Sequence, residues 1–371
     1  MPNTVPPLFT PEDLEKKVTE VAGTSLVDYG FHAGVDPRRP ALVREFAGAG
    51  VASVKAFLTG HHTAPHFLRG PDALRDFFAH VEGTGLLALF HAECAEVFAL
   101  LDGWRGEPDS WRDYERHRPR TAAIVAVSRL IDLCRDTGTP IHVLHVSTRE
   151  EADLLTAAGA AGLPATFEVT GHHLTFTADD TAALGARIRL SPAIRERADQ
   201  DRLWDAVRYG HARTVGSDHA PHEHADKLRP PAQAPPGLPG VQELLAALFT
   251  GLRLRDPGAD PGELLRPVTR LLGAAPAALF GLGHRKGRIE VGLDADLVLF
   301  DAEPTWSLAE ADIRSKCGWS AYQGRAFVGR VTTTLRRGEV VYQRTPETTV
   351  FGTPSGEWIR PRPAPHPTTS M

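Results

Sequence analysis

The stretch Ile141-His142-Val143-Leu144-His145-Val146-Ser147-Thr148 runs into Arg149–Ala161 and then into Ala165-Thr166-Phe167-Glu168-Val169. A β-branched apolar run, a segment with apolar residues three and four apart, and a second β-branched run read as strand, helix, strand. One helix between two short strands forms a βαβ unit, in which the strands lie parallel.

Outward from this unit the alternation continues. Strands are predicted at Leu26–Ala33, Val51–Phe57, Leu86–His91 and Thr214–Ser217, and helices near Pro40–Ala49, Pro71–Gly83, Arg120–Thr137 and Asp199–Tyr209. The count is six parallel strands. A closed (β/α)8 barrel needs eight, because an open sheet exposes two edges of unpaired backbone groups. The expected fold is therefore α/β, a TIM-like barrel without its first two strands. Beyond Ser217 the pattern changes to a Pro/Gly-rich loop, Leu228–Gly240, and helices across Val241–Leu254 and Glu263–Phe280. Gly287–Asp301 reads as two strands around a Gly-Leu-Asp turn, and Gly329–Tyr342 as a hairpin turning at Arg337-Gly338. Six prolines from Pro346 onward predict an unpacked end. The expected division is a barrel over 1–285, a β segment over 286–344 and a disordered tail over 345–371.

Composition narrows the function classes. The 371 residues are 42% hydrophobic and 23% charged with net charge −5, the profile of a globular chain large enough for a barrel of about 250 residues and a smaller appended domain. Lys and Arg are interspersed with Asp and Glu, so no nucleic-acid partner is expected. No apolar run approaches the roughly 20 residues a bilayer span requires, and Met1–Pro7 has neither a basic start nor an apolar stretch. A cytoplasmic location without membrane contact is the default. Cys94, Cys134 and Cys317 are too few and too scattered for a disulfide framework or a cysteine zinc site.

In a parallel barrel, chemistry collects at the C-terminal ends of the strands. Lys55 lies inside Val54-Lys55-Ala56-Phe57, His91 ends Leu86–Phe90, His145 lies in the Ile141 strand, and Asp218 follows Thr214-Val215-Gly216-Ser217. A charged lysine is costly to bury and must be neutralised, paired or modified; carbamylation would make it an oxygen ligand. Two imidazoles and a carboxylate complete a set suited to zinc. Each residue alone has a blander reading, a hydrogen-bonded core histidine or a turn-capping aspartate.

The ordered motifs carry a resemblance over nearly the whole chain. Met1-Pro2-Asn3-Thr4, Ser25–Phe31, the Lys55 strand, His91-Ala92-Glu93, His145-Val146-Ser147-Thr148, Glu168-Val169-Thr170-Gly171-His172-His173-Leu174 and Ser217-Asp218-His219-Ala220-Pro221-His222 resemble, in that order, motifs of dihydroorotases and related cyclic amidohydrolases. Gly287–Asp301 and Gly324–Tyr342 resemble part of that family's C-terminal β-sandwich. The resemblance implies a binuclear Zn2+ site bridged by carbamylated Lys55. His91 and His145 would hold one metal, and Asp218 would bind the other and move the proton. Asn3 and His222 would hold a substrate carboxylate, with Gly237 in the loop Pro236–Gly240 giving backbone contacts. The implied reaction is the interconversion of dihydroorotate and N-carbamoyl-aspartate in pyrimidine biosynthesis. Expected partners are a small cyclic amide or ureide and further copies of the chain. His172, His173 and His219 are assigned to packing or support.

The match breaks at its front. Relatives carry a His-x-His pair upstream of the Met-Pro-Asn-Thr motif, and the doublets here, His61-His62, His172-His173 and His222 with His224, stand elsewhere. The expectation is a start assigned at an internal methionine, and little activity from the chain as written. Ser191-Pro192-Ala193-Ile194-Arg195 also departs from the family's Asn-Pro start. Two other readings stay open: an allantoinase or hydantoinase-like hydrolase, and a non-catalytic homologue serving as a structural partner.

Overall fold

A computed structural model describes residues 1–60, 66–346 and 348–362. His61 and His62 lie outside the described residues. The predicted alternation folds into one six-stranded parallel sheet: β1 (His32–Gly34), β2 (Ser53–Phe57), β3 (Ala88–His91), β4 (Ile141–Val143), β5 (Ala165–Thr170) and β6 (Thr214–Gly216), hydrogen-bonded in sequence order. Register aligns Gly34 and Leu89 with Lys55 on either side, and His91 with Phe57. Strand ends that carry polar residues are thereby brought level.

Helices cover the sheet for reasons legible in the chain. Helix Arg149–Ala160 starts at Thr148, whose side chain accepts from the Glu151 N–H while Glu151 reaches back, a reciprocal cap that satisfies two orphan donors. Helix Arg120–Thr137 buries Ala123, Val127, Leu130 and Cys134 and stops at Gly138, which takes the left-handed conformation. Pro40–Phe46 is a 3-10 helix rather than an α-helix, and Pro11–Val21 and Ala95–Arg105 are helices the periodicity did not flag. No helix among the described residues is long and apolar enough to cross a membrane.

The chain then builds a four-stranded antiparallel sheet, β7 (Leu297–Ser307), β8 (Ala326–Arg336), β9 (Glu339–Arg344) and β10 (Thr349–Phe351), in the order β10-β9-β8-β7. The hairpin between β8 and β9 turns at Arg337 and Gly338, whose φ values of 49° and 83° are both positive, as a two-residue turn matched to strand twist requires. The sheet packs on helix Leu244–Arg255, with the Phe249 and Phe300 rings 4.8 Å apart.

Three expectations are corrected. Residues 287–296 form no strand: Ile289 and Val291 alternate as a strand would but stand fully in solvent, and a strand without a neighbour has no partner for its backbone groups. The first strand is short, because Tyr29 pairs instead with Trp358. Residues 348–362 are folded against the rest of the chain despite their prolines. Thr349–Phe351 joins the antiparallel sheet, and Gly356, Glu357 and Ile359 hydrogen-bond with Ser25 and Tyr29 while Ile359 is buried. Composition favours a loose tail, but two apolar side chains with a groove to enter outweigh it.

Candidate metal centre

Lys55 occupies the middle of β2 and is almost fully buried. Burial holds its amine below the usual lysine range, partly opposed by the Asp218 and Glu168 carboxylates. His91 closes β3, its ring stacked on Phe57 at 5.6 Å. His145 and Asp218 each stand two residues beyond a strand, at φ 39° and φ 41°. Among the described residues only one other non-glycine, the hairpin's Arg337, has positive φ. That conformation costs an L-residue roughly 1–2 kcal/mol, and such strain persists where the surroundings impose it, commonly at functional sites.

His91 Nδ1 lies 3.1 Å from His145 Nε2, and His91 Nε2 lies 2.8 Å from Glu93 Oε2. Burial pushes both imidazoles below the ordinary histidine range, so each is neutral near pH 7 and keeps a lone pair. His145 Nδ1 is buried without a hydrogen-bond partner among the described residues. Asp218 is pushed up to about 6 by burial, against the pull of Lys55.

These groups converge. Lys55, His91, His145 and Asp218 line one cavity of about 230 Å³ together with Asn3, His222 and Gly237, so all seven residues singled out from the sequence share its wall. Gly237 has φ 128°, and a Cβ there would lie 2.7 Å from Ala220 Cβ and 2.9 Å from His222 Nε2. His222 donates from Nε2 to the Pro236 carbonyl at 3.0 Å, and Trp319 Nε1 donates to the His222 carbonyl at 2.8 Å. His219 also lines the cavity, whereas His172 turns to Tyr322 and His173 to Thr170, both as packing residues.

Sequence reasoning gave no role to three groups that shape the site. Glu168, on β5, is half-buried and pushed up to about 7 by desolvation and by Asp218. Gly216 leaves room for it, since a Cβ there would sit 2.4 Å from its carboxyl carbon. Lys227 is buried with Nζ 2.8 Å from the carbonyls of Pro235 and Gly237, which pins the loop beside His222. Glu93 is fully buried against His91 and Arg118. The visible signal for Glu93 and Glu168 was an acid inside an apolar run.

The donor set fits a divalent metal. In a tetrahedral shell with bonds of 2.0–2.1 Å, two nitrogen ligands sit about 3.3 Å apart, close to the 3.1 Å between His91 Nδ1 and His145 Nε2. Asp218 stands farther off, because its ligand atom and those of the two histidines do not all fall within 4.8 Å of one another. Lys55 is the group whose charge reaches all three. The trio within that limit among the described residues is Asp28, Asp294 and Asp296, already paired with Lys286 Nζ at 2.5, 2.8 and 2.5 Å, with Arg285 on Asp294 and with Arg337 on Asp28.

Comparison with known proteins gives the family and the fold. An amidohydrolase-family profile matches residues 32–342. An allantoinase of Rubrobacter xylanophilus is 34% identical over 365 residues, covering 97% of this chain and 78% of its own. A dihydroorotase of Halobacterium salinarum is 33% identical over 346 residues, covering 92% and 76%. Among solved structures, the L-hydantoinase (dihydropyrimidinase) from Arthrobacter aurescens superimposes with a TM-score of 0.90 at 24% identity, over 97% of this chain and 79% of that one. Motif order, barrel-type sheet and whole-length similarity lead to one assignment: this chain belongs to the amidohydrolase family, among its cyclic amidohydrolases.

Proposed function

We propose that this protein is a metal-dependent hydrolase of a neutral cyclic ureide, with allantoin the leading substrate. The observation that carries the reading is the convergence of Lys55, His91, His145 and Asp218 on a single small cavity. Those four residues would hold the metal, zinc or a similar divalent ion, with Lys55 as its carbamate between two sites. When bound, the metal would polarise the ring carbonyl and lower the pKa of a water.

The chain's own groups supply the proton path. Asp218 accepts a proton from the attacking water as the C–O bond forms, then delivers it to the ring nitrogen as the C–N bond breaks, giving a carboxylate and an open-chain ureido group. In the metal-free site burial pushes Asp218 up to about 6, against the pull of Lys55. Asn3, His222 and the Gly237 backbone, which line the same cavity, would orient the ring.

Allantoin replaces the dihydroorotate expected from the motifs for two reasons. Allantoinases stand among the similar relatives at 34% and 33% identity. Among the described residues lining the cavity, Lys55 is the sole lysine or arginine, and burial holds His222 below the histidine range. Beyond Lys55, the described side chains of this wall offer a substrate carboxylate no second lysine or arginine to pair with, whereas a neutral ureide asks only for hydrogen bonds.

The test is turnover of allantoin, hydantoin, dihydrouracil and dihydroorotate by protein incubated with Zn2+ and bicarbonate, with kcat/KM compared across the four. Highest kcat/KM on allantoin is expected. Turnover of dihydroorotate alone would overturn the substrate reading, and protein that takes up no metal would overturn the metal reading.

A further inference from the structure

Glu93 is buried at 0% exposure, two residues beyond the strand that ends at His91. One of its oxygens, Oε2, accepts from His91 Nε2 at 2.8 Å and from an Arg118 Nη2 hydrogen. A neutral imidazole has one N–H and one lone pair, and an ionised carboxylate can only accept. The pairing therefore places the His91 proton on Nε2 and leaves the lone pair on Nδ1, the nitrogen that faces His145.

Arg118 is itself held in place. Its guanidinium lies over the Phe98 ring at 4.5 Å, and its backbone carbonyl accepts from Arg195 Nη1 at 2.6 Å. Arg195 is buried and also donates from Nε to Ser147 Oγ at 3.3 Å, two residues beyond His145. Ser147 in turn donates from its N–H and Oγ to Glu151 at 3.2 and 3.1 Å. This chain of buried and half-buried polar groups links the segments that follow β3 and β4.

We propose that Glu93 is a positioning residue that fixes His91 as the Nε2–H tautomer and so aims the Nδ1 lone pair into the cavity, with Arg118 holding Glu93 in that role. Removing such an outer partner of a metal-binding histidine typically weakens metal affinity by about 10- to 100-fold. The affinity arm of the test rests on the metal reading above; the tautomer arm does not.

Two measurements decide it: two-bond proton–nitrogen correlation spectra of the histidine rings in metal-free, histidine-labelled protein, and Zn2+ titration against a chromophoric chelator. In the unaltered protein His91 is expected as a single Nε2–H form. Glu93→Leu is expected to mix the tautomers and weaken Zn2+ binding about 10- to 100-fold, and Glu93→Gln, which keeps an oxygen acceptor, to restore the Nε2–H form. Because Glu93→Leu strands the half-buried Arg118 charge and can fail to fold, Glu93→Leu/Arg118→Leu removes both. If Glu93 served only to neutralise Arg118, the double variant would bind Zn2+ as tightly as the unaltered protein, and that result overturns the proposal. So does an unchanged His91 tautomer in either leucine variant. If the unaltered protein binds no Zn2+, the metal reading fails and the spectra alone decide the positioning role.

Discussion

Replacing Gly237 by alanine separates the site's geometry from the protein's stability. The new Cβ would lie 2.7 Å from Ala220 Cβ and 2.9 Å from His222 Nε2, where carbon contacts are ordinarily 3.5–4.0 Å. Relief requires the loop or the His222 ring to move by about 1 Å, since the ring is tied to the Pro236 carbonyl at 3.0 Å and Lys227 holds the Pro235 and Gly237 carbonyls. Alanine at φ 128° adds backbone strain of about 1–3 kcal/mol. With an unfolding entropy of about 2.1 cal/mol/K per residue, a chain of 371 residues would lose only about 1–4 °C in Tm. A misplacement of about 1 Å in a substrate-orienting group costs about 100-fold in rate. The expected result is thus a fall of about 100-fold in kcat/KM on the preferred ureide, read by a ring-opening assay, beside a small drop in Tm by scanning calorimetry. Unchanged kcat/KM with the same small drop in Tm would refute the claim that this loop sets substrate position.

Asp218→Asn should leave Tm within about 2 °C and lower kcat by about 100- to 10,000-fold, the usual worth of a general acid–base group; a tenfold loss or less in steady-state turnover would remove Asp218 from the proton path. Gly251→Ala would drive a Cβ to 2.2 Å from the buried Trp204 ring, whose Nε1 donates to the Leu174 carbonyl at 2.8 Å. Such overpacking should destabilise by about 1–3 kcal/mol in urea unfolding, and an unshifted midpoint would contradict it. His142 is fully buried between Thr166 and Thr214, at 2.8 and 3.1 Å, and is pushed down to about 3 by desolvation and then by Arg213. Below pH 6.5 the unfolded chain binds a proton there that the folded chain refuses, so stability falls from pH 6.5 towards about 3, by about 1.4 kcal/mol per pH unit from this residue. His142→Asn should flatten the dependence of Tm on pH across that window, and an unaltered slope would show that His142 does not carry it.

The strand–helix alternation was legible because each βα unit is local. β-branched runs such as Ile141–Val143 and Ala165–Thr170, the Thr148–Glu151 cap and the Gly138 stop act within a few residues of themselves. The same locality misled in two places. Arg288-Ile289-Glu290-Val291 has a strand's alternation but no neighbour to pair with, and the proline-rich end has Trp358 and Ile359 to anchor it against Tyr29 and Phe31.

By itself, the sequence determined the order of the strands and which polar side chains close them: Lys55, His91, His145 and Asp218 are distinguishable as polar residues in or just beyond apolar runs. Only the tertiary structure decided which nitrogens of His91 and His145 face each other, that Glu93 and Arg118 pair behind His91, and that the Lys227-anchored loop lines the same cavity. The physical reason is range. Secondary structure follows from spacing along the chain, whereas a side chain's ring orientation, charge state and proton position are set by neighbours from separate strands and loops, whose approach the spacing does not encode.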